Sequence, residues 1–270
     1  MFRSPRVTEN VFRPHGLTPL MPSPSSATVE QLERQRSWLG ESWTWLLQSK
    51  VFSGRGVLDR LPSALDVGCG PGLVMDLLSP YLNVEGVDID MDAVMSSNAR
   101  GQKAQVGRAE ELPFGDASFD IVYCSFLLLW MPDPVKVLNE MKRVSRDWVI
   151  CLAEPDHCGR VSYPAELAAL DDLFVKGLRK QGADPGMGRK LQSAFAGCGL
   201  RPQVGVHPGM WNGGCAGAED EWRSLVPVCR EVAGDAALIK IKRVWDEAAG
   251  NGSLVQYTPT FYAIARKGRD

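Results

Sequence analysis

The chain has 270 residues, 44% apolar and 23% charged, the balance of a globular protein with enough material for a sizeable core; this excludes a disordered or coiled-coil chain. Thirty Lys and Arg against 32 Asp and Glu leave a net charge of −2. The excess of positive charge that phosphate neutralisation requires is missing, so nucleic acid is not the expected partner. The longest apolar runs, such as Phe126 to Met131, are strand-sized and far from the roughly 20 residues that cross a bilayer, so no membrane partner is expected.

Residues 1–27 carry Arg3, Arg6, Arg13 and five prolines without an apolar stretch. They read as a flexible or polyproline-like arm rather than a secretory signal; an Arg- and Ser-bearing transit segment is the alternative, which the prolines oppose. Residues 28–62 read as a helical cap: Thr28 can cap a helix with Gln31 three residues on, and Leu32, Trp38, Leu39, Trp43, Leu46 and Leu47 recur at helical intervals. Its aromatic stripe, Trp45 included, suits core packing better than a ligand cage. From residue 63 to 270, short apolar runs alternate with helical patterns, the signature of a doubly wound α/β fold. Strands are predicted at 64–67, 84–88, 104–109, 119–125 and 148–153, with helices at 73–82, 91–100 and 134–145, the last opening with Pro134 at its first turn. Beyond Pro155 helices are predicted at 164–181, 189–196, 219–232 and 235–248. Strands at 203–207 and 260–266 would put an antiparallel edge on the mostly parallel sheet. Seven cysteines lack paired metal-ligand spacing, so no metal site is expected and a reducing cytoplasm fits best.

The segment that carries chemistry is Leu65-Asp66-Val67-Gly68-Cys69-Gly70-Pro71-Gly72. An apolar strand running into three glycines lets a ligand approach backbone that any Cβ would shield. Twenty residues after Gly68 the second strand ends at Asp88, where a carboxylate can take both hydroxyls of a ribose. Pyrophosphate binding is disfavoured because position 73, where a dinucleotide fingerprint has glycine, is Leu73, and no Gly-Lys-Ser or Gly-Lys-Thr follows for a triphosphate. An adenosine ligand without a phosphate chain remains.

Here the sequence resembles the class I S-adenosylmethionine-dependent methyltransferases, in the branch whose first motif reads Leu-Asp-Val-Gly-Cys-Gly-Pro-Gly. Gly86-Val87-Asp88-Ile89-Asp90 is similar to the second motif, Glu110-Glu111-Leu112-Pro113-Phe114 to the third, and Ser118 to Tyr123 to the fourth, together covering about residues 65–155. The resemblance implies a Rossmann-like seven-stranded sheet, S-adenosylmethionine as cofactor and S-adenosylhomocysteine as product. It implies that Asp66, Gly68, Gly70 and Gly72 line the methionine end, that Asp88 takes the ribose, that Ile89 flanks the adenine, that Ala109 and Glu110 sit at the adenine edge, and that Ser125 lies near the methionine portion. For Asp66, organising the turn is as good a reading as ligand contact. One departure is Arg108, where many relatives carry an acid; either Glu110 substitutes or Arg108 points to solvent.

In open α/β sheets ligands bind beyond the carboxyl ends of the strands, so an acceptor should lie over Ser125 and Glu154. The insertion at about 155–200 and the Met210-Trp211-Asn212 loop could cover it. If a proton must leave the acceptor, His157 is the leading base, with Glu154, Asp156 and Tyr163 as competitors; the alternative is that His157 only braces its loop. The expected function is methyl transfer to a small-molecule acceptor. A methyltransferase acting on RNA or protein and a non-catalytic cofactor-binding regulator are the competing readings.

Overall fold

The structure is a computed structural model that describes residues 26–53, 60–208 and 217–268. Most of the arm, and the Met210 to Asn212 loop, lie outside the described residues. Helix α1 (Ser26–Leu46) runs on into a π-helical turn, Leu47–Val51. It starts two residues before Thr28, which therefore sits inside the first turn instead of capping it. Then follow β1 (Ser63–Val67), α2 (Leu73–Leu78), β2 (Asn83–Asp88), α3 (Met91–Ala99), β3 (Lys103–Val106), β4 (Phe119–Ser125), α4 (Pro134–Val144) and β5 (Ser145–Pro155). The second half holds β6 (Val161–Tyr163), α5 (Ala168–Lys180), α6 (Met187–Gly197), β7 (Gln203–Val206), α7 (Ala218–Arg230), α8 (Asp235–Gly250), β8 (Val255–Tyr257) and β9 (Thr260–Arg266).

Seven strands form one sheet in the order β3-β2-β1-β4-β5-β9-β7. β9 alone runs against its neighbours, pairing antiparallel with both β5 and β7. The central strands are mostly apolar because both faces are covered. Leu65, Val67, Val122, Cys124, Val149 and Cys151 point into the core under α4 to α8, and Ala64, Ile121, Tyr123, Ile150 and Leu152 into the core shared with α1 and α2. Local signals set the helix starts. Asp133 accepts from the Lys136 N–H at 3.0 Å with Pro134 in the first turn, and Asp90 accepts from the Asp92 N–H at 2.9 Å. Trp43 is buried beside Leu39, Leu46 and Leu47, whereas Trp38 and Trp45 are exposed, so the aromatic stripe is only partly core. No described helix is long and apolar enough to cross a membrane.

The insertion after β5 folds onto the sheet through α6, and its β6 pairs with β8, from just before β9, in a second, two-stranded sheet that the sequence pattern does not show. Its hub is Arg160, only 3% exposed at the side chain, whose Nε donates to Asp171 at 2.8 Å and whose guanidinium also contacts Glu221, Gln256 and the face of Phe174. This one cation holds β6, α5, α7 and β8 together. Arg160→Met, which keeps the stem and removes the charge, leaves Asp171 unpaired and should cost about 3 kcal/mol in urea unfolding; a loss below about 0.5 kcal/mol would show that the network adds nothing.

Candidate cofactor site

The site is built at the carboxyl end of β1. Gly68, Gly70 and Gly72 all have left-handed backbone, with φ of 75°, 52° and 81°, which costs an L-residue strain that glycine escapes. At two of them a side chain would also collide: a Cβ on Gly68 would stand 2.8 Å from Leu127 and one on Gly72 2.5 Å from the Ser97 hydroxyl. At Gly70 nothing lies within 4 Å, so the turn opens there. The amides of the turn are occupied internally. Gly68 and Cys69 donate to the Val87 carbonyl at 2.8 and 3.1 Å, Gly72 to Cys69 at 3.1 Å, and Gly70 to the Asp88 carboxylate at 2.8 Å. The glycines thus provide space for a ligand more than donors toward it.

Asp88 ends β2 with one oxygen on Gly70 N–H and the other on Asp90 N–H at 2.9 Å. Burial raises its pKa, against the pull of these two donors. Each oxygen keeps a second lone pair for a hydroxyl. Asp66 is buried with no hydrogen bond to either oxygen, so it does not organise the turn through its side chain. Burial pushes its pKa up to about 8, with the Tyr123 hydroxyl, close by but outside hydrogen-bonding geometry, pulling it down and Asp88 adding to the rise. Ile89 stands exposed just past β2, and Ala109 packs against the core. Arg108 is exposed, its side chain 48% accessible, and pairs with Glu110 at 3.3 Å.

At the end of β4, Ser125 and Phe126 close one wall of a cavity whose floor is Gly68 to Pro71 and whose roof is Leu32, Gln35 and Trp43 of α1. Phe126 has φ of 53° and its N–H donates to the Ala153 carbonyl at 2.8 Å. A bulky residue in left-handed backbone is costly and is found where surrounding structure imposes it, often at a functional wall. A larger, shallower groove on the other side of α1, along Arg36, Gly40, Glu41, Thr44 and Trp45, does not reach the glycine turn.

The candidate bases lie elsewhere. Glu154 is fully buried, accepting from Leu128 and Leu129 N–H at 3.0 Å each, and burial pushes its pKa up to about 8 against these donors; it anchors the turn after β4. Asp156 accepts from Arg189 at 2.6 Å. Tyr163 is exposed on β6. The His157 ring packs edge-on against Phe174 with centroids 5.1 Å apart, its Nδ1 is buried without a partner, and burial, then Arg160, lowers its pKa to about 3. None of the four lines the cavity. Gln35, Trp43 and Phe126 do, and sequence reasoning did not assign them; the available signal was Gln35, a polar residue in the stripe Leu32, Leu39, Trp43, Leu46.

Residues 65–152 match the family described as "Methyltransferase domain". That segment of the chain is a methyltransferase domain. An uncharacterised methyltransferase of Schizosaccharomyces pombe is 30% identical over 148 residues, 47% of this chain and 52% of that protein. A demethylmenaquinone methyltransferase of Bacillus licheniformis is 28% identical over 186 residues, 60% of this chain and 78% of that protein. The match spans about half the length of several curated relatives. The structure of geranyl diphosphate methyltransferase in complex with SAM shares the fold, with TM-score 0.53 and 16% identity over 90% of this chain and 92% of that one. The methyltransferase domain's open position at Gly70 and the acceptors on Asp88 fit the cofactor of this family.

Gly70→Ala tests the open position. The substitution should cost about 1 kcal/mol of stability and weaken S-adenosylhomocysteine binding more than tenfold by calorimetry. Gly101, with φ of 85° and equally open space, lies at the opposite end of the sheet. Gly101→Ala should lose similar stability and keep the affinity, and equal affinity losses in the two variants would contradict the assignment.

Proposed function

We propose that this chain transfers a methyl group from S-adenosylmethionine to a small-molecule acceptor. The observation that carries the acceptor class is charge: the chain as a whole is nearly neutral, which suits a compact molecule better than a polyanion. The relative named for demethylmenaquinone supports the same class.

The cofactor supplies the electrophilic methyl group, so the protein's task is to hold the acceptor in line and keep water out. Asp88 and the glycine turn would hold the nucleoside. Phe126, fixed by Ala153, and the α1 roof would shape the acceptor's approach. Among the described residues of the cavity wall the one titratable side chain is Cys69, whose thiol burial pushes up, and an imidazole with a pKa of about 3 at His157 is a weak base at neutral pH. The acceptor atom is therefore one that needs no base from the protein, such as a carboxylate, a thiolate or a neutral amine.

Incubation with methyl-tritiated S-adenosylmethionine and a fractionated cell extract tests this reading. Label should collect in the low-mass fraction, and its transfer should persist in His157→Asn within about threefold, well short of the 10²-fold or greater loss for a true base. Label confined to protein or RNA would overturn the acceptor class.

A further inference from the structure

The roof of the cavity holds two polar groups that the protein itself leaves unpaired. Gln35 and Trp43 both line it, opposite Gly68, Gly70 and Ser125, and the Gln35 side-chain oxygen and the Trp43 indole Nε1 are buried with no hydrogen-bond partner. Buried polar atoms in native structures are nearly always paired, and an exception calls for an explanation. Their chemistry is complementary: one is an acceptor only at that atom, the other a donor only. They stand eight residues apart on α1, about 12 Å along the helix axis, and both line this one cavity.

We propose that Gln35 and Trp43 recognise the amino-acid end of the cofactor, Gln35 Oε1 accepting from its α-ammonium and Trp43 Nε1–H donating to its α-carboxylate. The inference rests on the cofactor assignment and adds to it a role for α1, which lies outside the matched domain. A ligand held by its ribose at Asp88, which is hydrogen-bonded to Gly70, must extend across the turn toward β4 for its methyl group to face an acceptor there. That path leads beneath α1. A zwitterion arriving in this cavity meets no charged side chain among the described residues of its wall and needs one acceptor and one donor, the pair that α1 provides.

The two roles separate in binding titrations of the full chain with S-adenosylhomocysteine and with 5′-methylthioadenosine, which lacks the amino-acid end. Gln35→Met and Trp43→Phe keep the bulk of each side chain and remove one hydrogen-bonding atom. Each should weaken S-adenosylhomocysteine about tenfold or more, as expected for a hydrogen bond to a charged group, and leave 5′-methylthioadenosine within about twofold, below any hydrogen-bond loss. Asp88→Ala should weaken both ligands together. Unchanged S-adenosylhomocysteine affinity in both α1 variants, or parallel loss of the two ligands in them, would overturn the proposal and leave α1 a cover. Failure of the wild-type chain to bind either ligand would instead overturn the cofactor assignment beneath it.

Discussion

The hydrogen bond from Gly70 N–H to Asp88, 2.8 Å long, is the contact on which the site depends. It joins the turn after β1 to the tip of β2, and with the two amides that Val87 accepts it satisfies a left-handed turn from within. A turn that satisfied its amides with a ligand would need that ligand to fold. This one is formed in advance and leaves bare space above Gly70 together with free lone pairs on Asp88. Preorganisation of this kind lowers what binding must spend on ordering the protein.

The second constraint acts at β4 and β5. Phe126 is held in left-handed backbone by its bond to Ala153, and three residues on the chain is pinned by Glu154, whose two oxygens take Leu128 and Leu129. A buried carboxylate here is a clamp on backbone, and its isolation from the cavity explains why it is unsuited to move protons for a substrate. His157 tells the same story from the other side of the insertion: packed on Phe174 beside Arg160, it is too desolvated to take a proton. Glu154 and His157 are thus structural, and the described side chains that line the cavity are uncharged.

Much of the core of the fold was legible from residue patterns. β1 and β4 are mostly apolar because both their faces are covered, Pro134 marks the start of α4, and the spacing from Gly68 to Asp88 places the acid at the tip of β2. The pairing of β6 with β8 was not legible, because Val161-Ser162-Tyr163 and Val255-Gln256-Tyr257 are too short for a period and lie far apart in sequence. Nothing local marks Phe126 as left-handed, since its conformation comes from Ala153 on the neighbouring strand. The choice of His157 as a base followed its position after β5, and the contact with Phe174 that lowers its basicity is made only in three dimensions. Gln35 was readable as a polar break in an apolar stripe, but its use depends on the turn it faces.

The central claim is that the ligand lies between the glycine turn, the tip of β2 and the α1 roof. Amide hydrogen exchange with and without S-adenosylhomocysteine tests it most directly. The account predicts new protection in peptides spanning 66–74, 86–90 and 32–43, with 156–166 unchanged. Protection confined to 156–180, with the glycine turn exchanging as before, would contradict it.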